Sequence, residues 1–531
     1  MKRFMNKYIK CALISAAVIS SVACTADFEN LNTDPFAPTP DQMMGDNALT
    51  TSHLQSMMTA LMQIQQNNSQ YIEQFVGGEY GGMVTPPIQY GGEYAYSTYN
   101  PTLGNCGQVF DIIMPQIYTG LFQISNLSNG EGSVYGIALI IRVAASLKIS
   151  DCYGPIPYSK ITGADYTVAY DDMPQLYEAM FADLNKAIGI LTPMASTVDA
   201  SLAEGDTVFG GDYGKWVKFA NTLKLRMAIR ISNATADPVL ARRMAEEAVM
   251  HSVGVMTEAS DSAWTSENDG MNPLYRAAFV WDDGKDLRIS ANITTYMNGY
   301  NDPRLPLYAT KAEYASVKDR YVGVRSGIEL GNAAATKDTY QKLSNINLQE
   351  NSPQLIMSAA EAWFLRAEGA LNGWSMGDTA KNCYEKGVTV SMSERGAAIG
   401  DYLSSQKTPS SYVDPISNLS AAAPSTVYPY YNESQSAEVN RERIMIQKWL
   451  ANFPNGWETW ADRRRTGYPR LLTVVKNNAP SSDNVSSSRG MRRLRYPQSE
   501  YTSNAENLQA AVMMLGGSDT FGTDLWWAKK N

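Results

Sequence analysis

Residues 216–232 read WVKFANTLKLRMAIRIS, and the spacing of large and small side chains in this stretch decides the fold class. Trp216, Phe219, Ala220 and Leu223 recur at intervals of three and four, the period that stacks side chains on one face of an α-helix. A similar order returns in Trp363-x2-Arg366-Ala367-x2-Ala370 and in Trp457-x2-Trp460-Ala461-x2-Arg464. A bulky residue followed by a small one lets a helix nest against a neighbour, as in the opening half of a tetratricopeptide repeat. Ala241-x3-Ala245-x2-Ala248 and Ala380-x3-Tyr384-x2-Gly387 supply the spacing of a returning half. The pattern therefore predicts helical hairpins.

Working outward, the same periodicity predicts helices over 48–74, 134–149, 173–191, 214–232, 238–251, 354–371, 378–393 and 441–450. Between them, 77–108, 253–345 and 396–437 are rich in Gly, Ser, Asn and Tyr and too long to be simple connectors, so function is expected there. The expected class is mainly α, one helical domain over 41–531 with loop-rich segments packed on it.

The amino terminus fixes a compartment. Lys2, Arg3, Lys7 and Lys10 precede an apolar run, Cys11 to Val22, that is too short to span a bilayer and reads as a secretory signal over 1–23. Ser21-Val22-Ala23-Cys24 then resembles a lipobox, with Ser21 where Leu is commonest, so Cys24 is the expected lipidation site. Several acyl chains on one cysteine hold a protein at a membrane where a single chain does so only marginally. LNTDPFAPTP (31–40) would be an extended part of the lipidated tether, 24–40. Cleavage before Cys24 removes four of 44 basic residues and none of 53 acidic ones, moving the net charge from -9 to -13. Such a surface argues against nucleic acid as a partner. Cys106, Cys152 and Cys383 are left, an odd number at irregular spacing, and are expected to be buried thiols rather than a disulfide framework.

Tyrosines gather in the first long loop. Tyr80, Tyr90, Tyr94, Tyr96 and Tyr99 fall within twenty residues, and Gly-Gly-Glu-Tyr occurs at both 77–80 and 91–94. Glycines beside tyrosines predict turns that present rings outward. Rings flanked by polar groups suit a ligand that has both a flat apolar face and hydrogen-bonding groups. In the second loop, Trp281-Asp282-Asp283-Gly284-Lys285-Asp286 sets an indole beside hydrogen-bonding groups, and Trp264, Asn268 and Asp269 lie nearby. The candidate ligand contacts are thus Tyr80, Tyr90, Tyr94, Tyr96, Trp264, Trp281, Asp282 and Asp283. Trp216, Trp363, Trp449 and Trp460 belong to the helices and are expected in the core.

Seven stretches resemble the RagB/SusD family of outer-membrane nutrient-binding lipoproteins, in its SusD-like branch: NLNTDPFAPTP (30–40), DCYGPIPYS (151–159), the opening 216–232 segment, NDPRL (301–305), AAEAWFLRAEGAL (359–371), QKWLANFPNGWETWADRRRTGYP (447–469) and RLRYPQSEYTSNAENLQAAV (493–512). The resemblance implies about four tetratricopeptide-like hairpins with loops on one side. It also implies a partner, a SusC-like TonB-dependent outer-membrane barrel, and oligosaccharide as cargo. The expected role is capture of glycan at the cell surface by a protein held in the outer membrane through its lipid.

Catalysis has little support in the sequence. His53 and His251 stand alone without an H-E-x-x-H pattern, and no P-loop, G-x-S-x-G elbow or dinucleotide fingerprint occurs. Asp282, Asp283 and Asp286 would be the first carboxylates to consider for glycoside hydrolysis. No ligand spacing supports calcium or another metal, so no cofactor is expected. The competing reading is a helical adaptor that binds peptide or protein cargo in a groove between its repeats.

Overall fold

The first backbone amides of a helix lack intrahelical partners, and a short polar side chain just before the helix supplies one. Thr102, Asp172, Asp212, Ser358, Thr379 and Ser436 do so here, each accepting from an amide two or three residues on. The computed structural model describes residues 48–163, 167–234, 238–266, 271–281 and 286–528. The signal, Cys24 and the tether fall outside the described residues, as do Asn268, Asp269, Asp282 and Asp283. Contacts group Thr50–Asn531 as one unit, apart from Met1–Leu49.

The longer helices are α1 (Ala48–Leu61), α2 (Leu103–Ser128), α3 (Gly132–Tyr153), α4 (Met173–Leu191), α5 (Tyr213–Arg230), α6 (Pro238–Met250), α7 (Ala291–Tyr300), α8 (Ala359–Leu371), α9 (Ala380–Arg395), α10 (Ala437–Ala451), α11 (Trp457–Thr466) and α12 (Ala505–Met514). Consecutive members of α2 to α6 pack on one another, as do α8, α9 and α10, and α8 also lies against α5. The two hairpins read from small and large spacing, α5 with α6 and α8 with α9, are both formed. Gly387 shows why a small residue is required: a Cβ there would sit 2.8 Å from the Phe364 ring. Trp216, Trp449 and Trp460 are fully buried and Trp363 nearly so. Cys106, Cys152 and Cys383 are buried thiols.

Three helical expectations change. The stretch 354–371 begins as a strand, Leu355–Met357, and becomes helical only from Ala359. Residues 48–74 do not form one helix: α1 stops at Leu61, and a short turn, Gln66–Ser69, runs into a π-helix, Gln70–Gly78. The Gln65 side chain accepts from the Asn68 amide at 2.8 Å and so restarts the chain there. Conversely, the 26-residue α2 begins inside 77–108, a stretch read as loop for its Gly, Ser, Asn and Tyr, and runs on through Pro115 and Gly120. Tertiary packing outweighs those weak formers. Gly120 is needed where Met57 approaches, a Cβ there lying 2.4 Å from the Met57 Cγ.

Four of the family-like stretches, those at 151–159, 216–232, 359–371 and 447–469, meet in one buried charge system. Arg230 of α5 pairs with Asp151 of α3 and, at 2.6 Å, with Glu458 of α11. Arg226 holds Glu361 of α8 at 2.7 Å, and Lys448 of α10 reaches Asp462 at 2.9 Å. Arg465 makes two bonds to Glu368, at 2.7 and 2.8 Å. Burial opposes ionisation of Glu458, yet Arg226, Arg230 and Lys448 around it hold its carboxyl well below the usual range. Residues 493–496 close the same region, with the Leu494 amide on Cys152 and the Tyr496 hydroxyl on Pro155.

Among the described residues the loops add three two-stranded antiparallel ribbons. β1 (Val84–Thr85) pairs with β3 (Arg288–Ile289), β2 (Ala263–Trp264) with β4 (Leu355–Met357), and β5 (Tyr412–Val413) with β6 (Ser420–Ala421). The first two bring the segments around residues 80–99 and 264–289 onto the helices that carry them.

Candidate functional site

The π-helix Gln70–Gly78 is the hub of the site. Wide π turns are uncommon and recur at functional positions, and here one presents Gln70, Tyr71, Gln74 and Phe75 to the loops. Gln70 Nε2 donates to Asp286 at 2.9 Å, while the Tyr90 hydroxyl donates to Gln70 Oε1 at 3.4 Å. Phe75 packs on Tyr90 with ring centroids 4.7 Å apart and on Tyr96 at 5.3 Å. The tyrosine loop and the segment that begins with Trp281 therefore meet on one element. Pro273–Tyr275 also packs against it.

The predicted contacts separate by exposure. Tyr94 stands out, 49 % exposed, on a turn made possible by positive φ at Gly91 and Gly92. Tyr90 and Trp281 are half-buried. Trp264 is half-buried too, with the Arg395 guanidinium 5.0 Å from its ring centroid. Tyr80 and Tyr96 are core residues, 3 % and 4 % exposed, so the outward display expected of them does not hold. Tyr80 is enclosed by Tyr96, Tyr99 and Trp460, since the first Gly-Gly-Glu-Tyr copy ends a helix that must fit against α11. A Cβ on Gly77 would lie 2.9 Å from the Trp457 indole. Burial raises the Tyr80 hydroxyl pKa well above its ordinary value and pushes the neighbouring Glu79 carboxyl up to about 7, against a hydrogen bond from Ser326.

Tyr275 and Phe279 were not singled out by the sequence reading. Their rings stack at 4.7 Å with an interplanar angle of 29°, and both are half-buried. Spacing at four residues in a helical turn is the signal that could have found them. Phe279 borders an open hollow of about 480 Å³ that Arg288, Thr310, Lys311, Gln341 and Asn345 also line. Arg288 is fixed by the Gln341 and Leu287 carbonyls, and burial lowers its pKa to about 10. A stacked aromatic pair beside a rim of planar amides and cations has the chemistry that a sugar face and its hydroxyls require.

A family model described as SusD-like, the SusD and RagB outer membrane lipoproteins, matches residues 30–528. The chain belongs to the SusD-like family. Solved relatives agree in fold over almost their whole length. A SusD homologue from Bacteroides uniformis is 37% identical with a TM-score of 0.85, the match covering 91% of this chain and 99% of that one. A SusD-like protein from Bacteroides thetaiotaomicron is 36% identical, also at 0.85 and with the same two coverages. A chitin-binding SusD homologue from Flavobacterium johnsoniae is 33% identical, with a TM-score of 0.84 and coverage of 91% and 99%. Comparison with curated proteins returns no match. As in those relatives, the SusD-like chain is mainly α and built of tetratricopeptide-like hairpins. Its family is one of outer-membrane lipoproteins.

Proposed function

We propose that this protein captures oligosaccharide on the aromatic face formed by Tyr90, Tyr94, Tyr275, Phe279 and Trp281, with Trp264 at its border, and passes it to a SusC-like TonB-dependent barrel. The carrying observation is the half-open stack of Tyr275 and Phe279 beside a wide polar hollow. Chitin binding by the Flavobacterium johnsoniae relative adds support for carbohydrate as cargo. Asp282 and Asp283 follow Trp281 directly and are proposed as hydroxyl acceptors. The protein binds glycan without cleaving it. A lipid on Cys24 holds it in the outer membrane at the cell surface, and residues 41–531 act as one helical domain.

A peptide-binding groove between the repeats finds less support. The charged side chains of α5, α8, α10 and α11 that would clamp a peptide are buried in ion pairs with each other. A glycan array tests the proposal, followed by titration of Tyr94→Ala and Trp281→Ala against the glycans retained. Loss of affinity of about tenfold in each variant is expected. Unchanged affinity in both, or release of reducing ends from bound glycan, would remove the aromatic face or the binding-only role respectively.

A further inference from the structure

Beside Trp264 lies a recess of about 70 Å³, lined in part by Gln74 and Ser69. Gln74 is 3 % exposed, and neither its Nε2 nor its Oε1 has a hydrogen-bond partner; Ser69 Oγ, on a residue 1 % exposed, has none either. Buried amides and hydroxyls are almost always paired, so a donor and two acceptors left open in one hollow are available to a ligand that enters it. Met62, Val84, Leu274 and Leu355 make apolar walls. Half-exposed Trp264, Leu348, Pro353 and Pro454 form the rim. Glu73, also on the lining, is already engaged, accepting from Lys148 at 2.9 Å and from the Trp457 indole at 2.5 Å.

We propose that this recess takes the acetamido group of an N-acetylhexosamine, an inference that rests on glycan capture and names the class of sugar. The acetamido carbonyl accepts from Gln74 Nε2, its N–H donates to Ser69 Oγ, and its methyl lies on the aliphatic walls. Gln74 Oε1 is left for the adjacent ring hydroxyl, and the Trp264 indole covers the sugar at the rim. A hydroxymethyl group has no methyl for the walls. A carboxylate would meet Gln74 Oε1 and the Glu73 charge. Because Gln74 lies one turn beyond Gln70 on the π-helix, the recess and the aromatic face are fixed to one element.

Saturation-transfer NMR on the full chain in detergent tests this with N-acetylglucosamine and N-acetylgalactosamine, against glucose and galactose. The acetamido methyl should be the most strongly saturated group, and the acetylated sugars should bind at least about tenfold more tightly than the plain hexoses. Gln74→Leu and the recess-filling Leu274→Phe should abolish that preference. Gln74→Leu removes an unsatisfied amide and should leave the thermal midpoint unchanged or raised, so loss of binding there is not loss of fold. Equal binding of acetylated and plain sugars, or an unaltered preference in Gln74→Leu, overturns the acetamido assignment while leaving glycan capture standing. Failure of every glycan on an array to bind overturns both.

Discussion

The tetrapeptide Gly-Gly-Glu-Tyr ends in the core at Tyr80 and in solvent at Tyr94. Local sequence is the same in both copies, so their difference comes from what surrounds them. The first glycine pair fits against Gly456 and Trp457, whereas the second turns the chain at positive φ with no atom within 4 Å of a Cβ on Gly92. This is why the clustering of tyrosines was legible in the sequence but not which of the rings would face outward. Tyr80→Phe removes a buried hydroxyl that has no partner. It should leave glycan affinity unchanged and the denaturant midpoint equal or higher, whereas a drop in affinity would return Tyr80 to the site. Glu79 gives a pH signature. Its carboxyl is pushed up to about 7 in the fold from its ordinary 4.5, so the folded chain holds a proton that the unfolded chain releases between those values. The stability this provides is complete below about pH 4.5 and is lost as pH rises through 7. Glu79→Gln should flatten that part of the stability profile, and a slope that persists would place the titration elsewhere.

At the scale of elements, periodicity identified the helices whose apolar faces are broad, such as α4 with matching bounds at 173 and 191. It missed α2, where glycines and Pro115 weaken the signal although α3 covers one side. It also missed the π turn, since a widened turn alters the very spacing that a period of 3.6 looks for. The ion pairs that join α3, α5, α8, α10 and α11 could not be read either, because each partner comes from a different part of the chain. Their strength is testable through one deletion. Glu458→Gln leaves Arg226, Arg230 and Lys448 with a missing countercharge in the interior. A loss of about 3 to 5 kcal/mol in equilibrium unfolding is expected, and a change below about 1 kcal/mol would show that the remaining carboxylates suffice. Gly387→Leu is expected to cost roughly 1 to 3 kcal/mol by forcing a side chain onto Phe364, unless α8 and α9 can separate freely.

Across the whole molecule, a stiff helical array carries segments that secondary structure alone would leave loose. Short ribbons, a π turn and side-chain bonds through Gln70 and Asp286 hold the loops that bear the aromatic rings. Rigid support matters for binding because a ring already held in place loses little entropy when a sugar docks. Family membership follows from resemblance over nearly all of the chain, while the choice of rings depends on coordinates. Hydroxyl-radical footprinting of aromatic side chains, with and without a glycan retained on the array, tests the central claim most directly. Protection should fall on Tyr94, Tyr275, Phe279 and Trp281 and leave Trp216, Trp449 and Trp460 as unreactive as before. Equal labelling of the loop aromatics in both states, with bound glycan instead shielding the outer surfaces of α2 to α6, would contradict it.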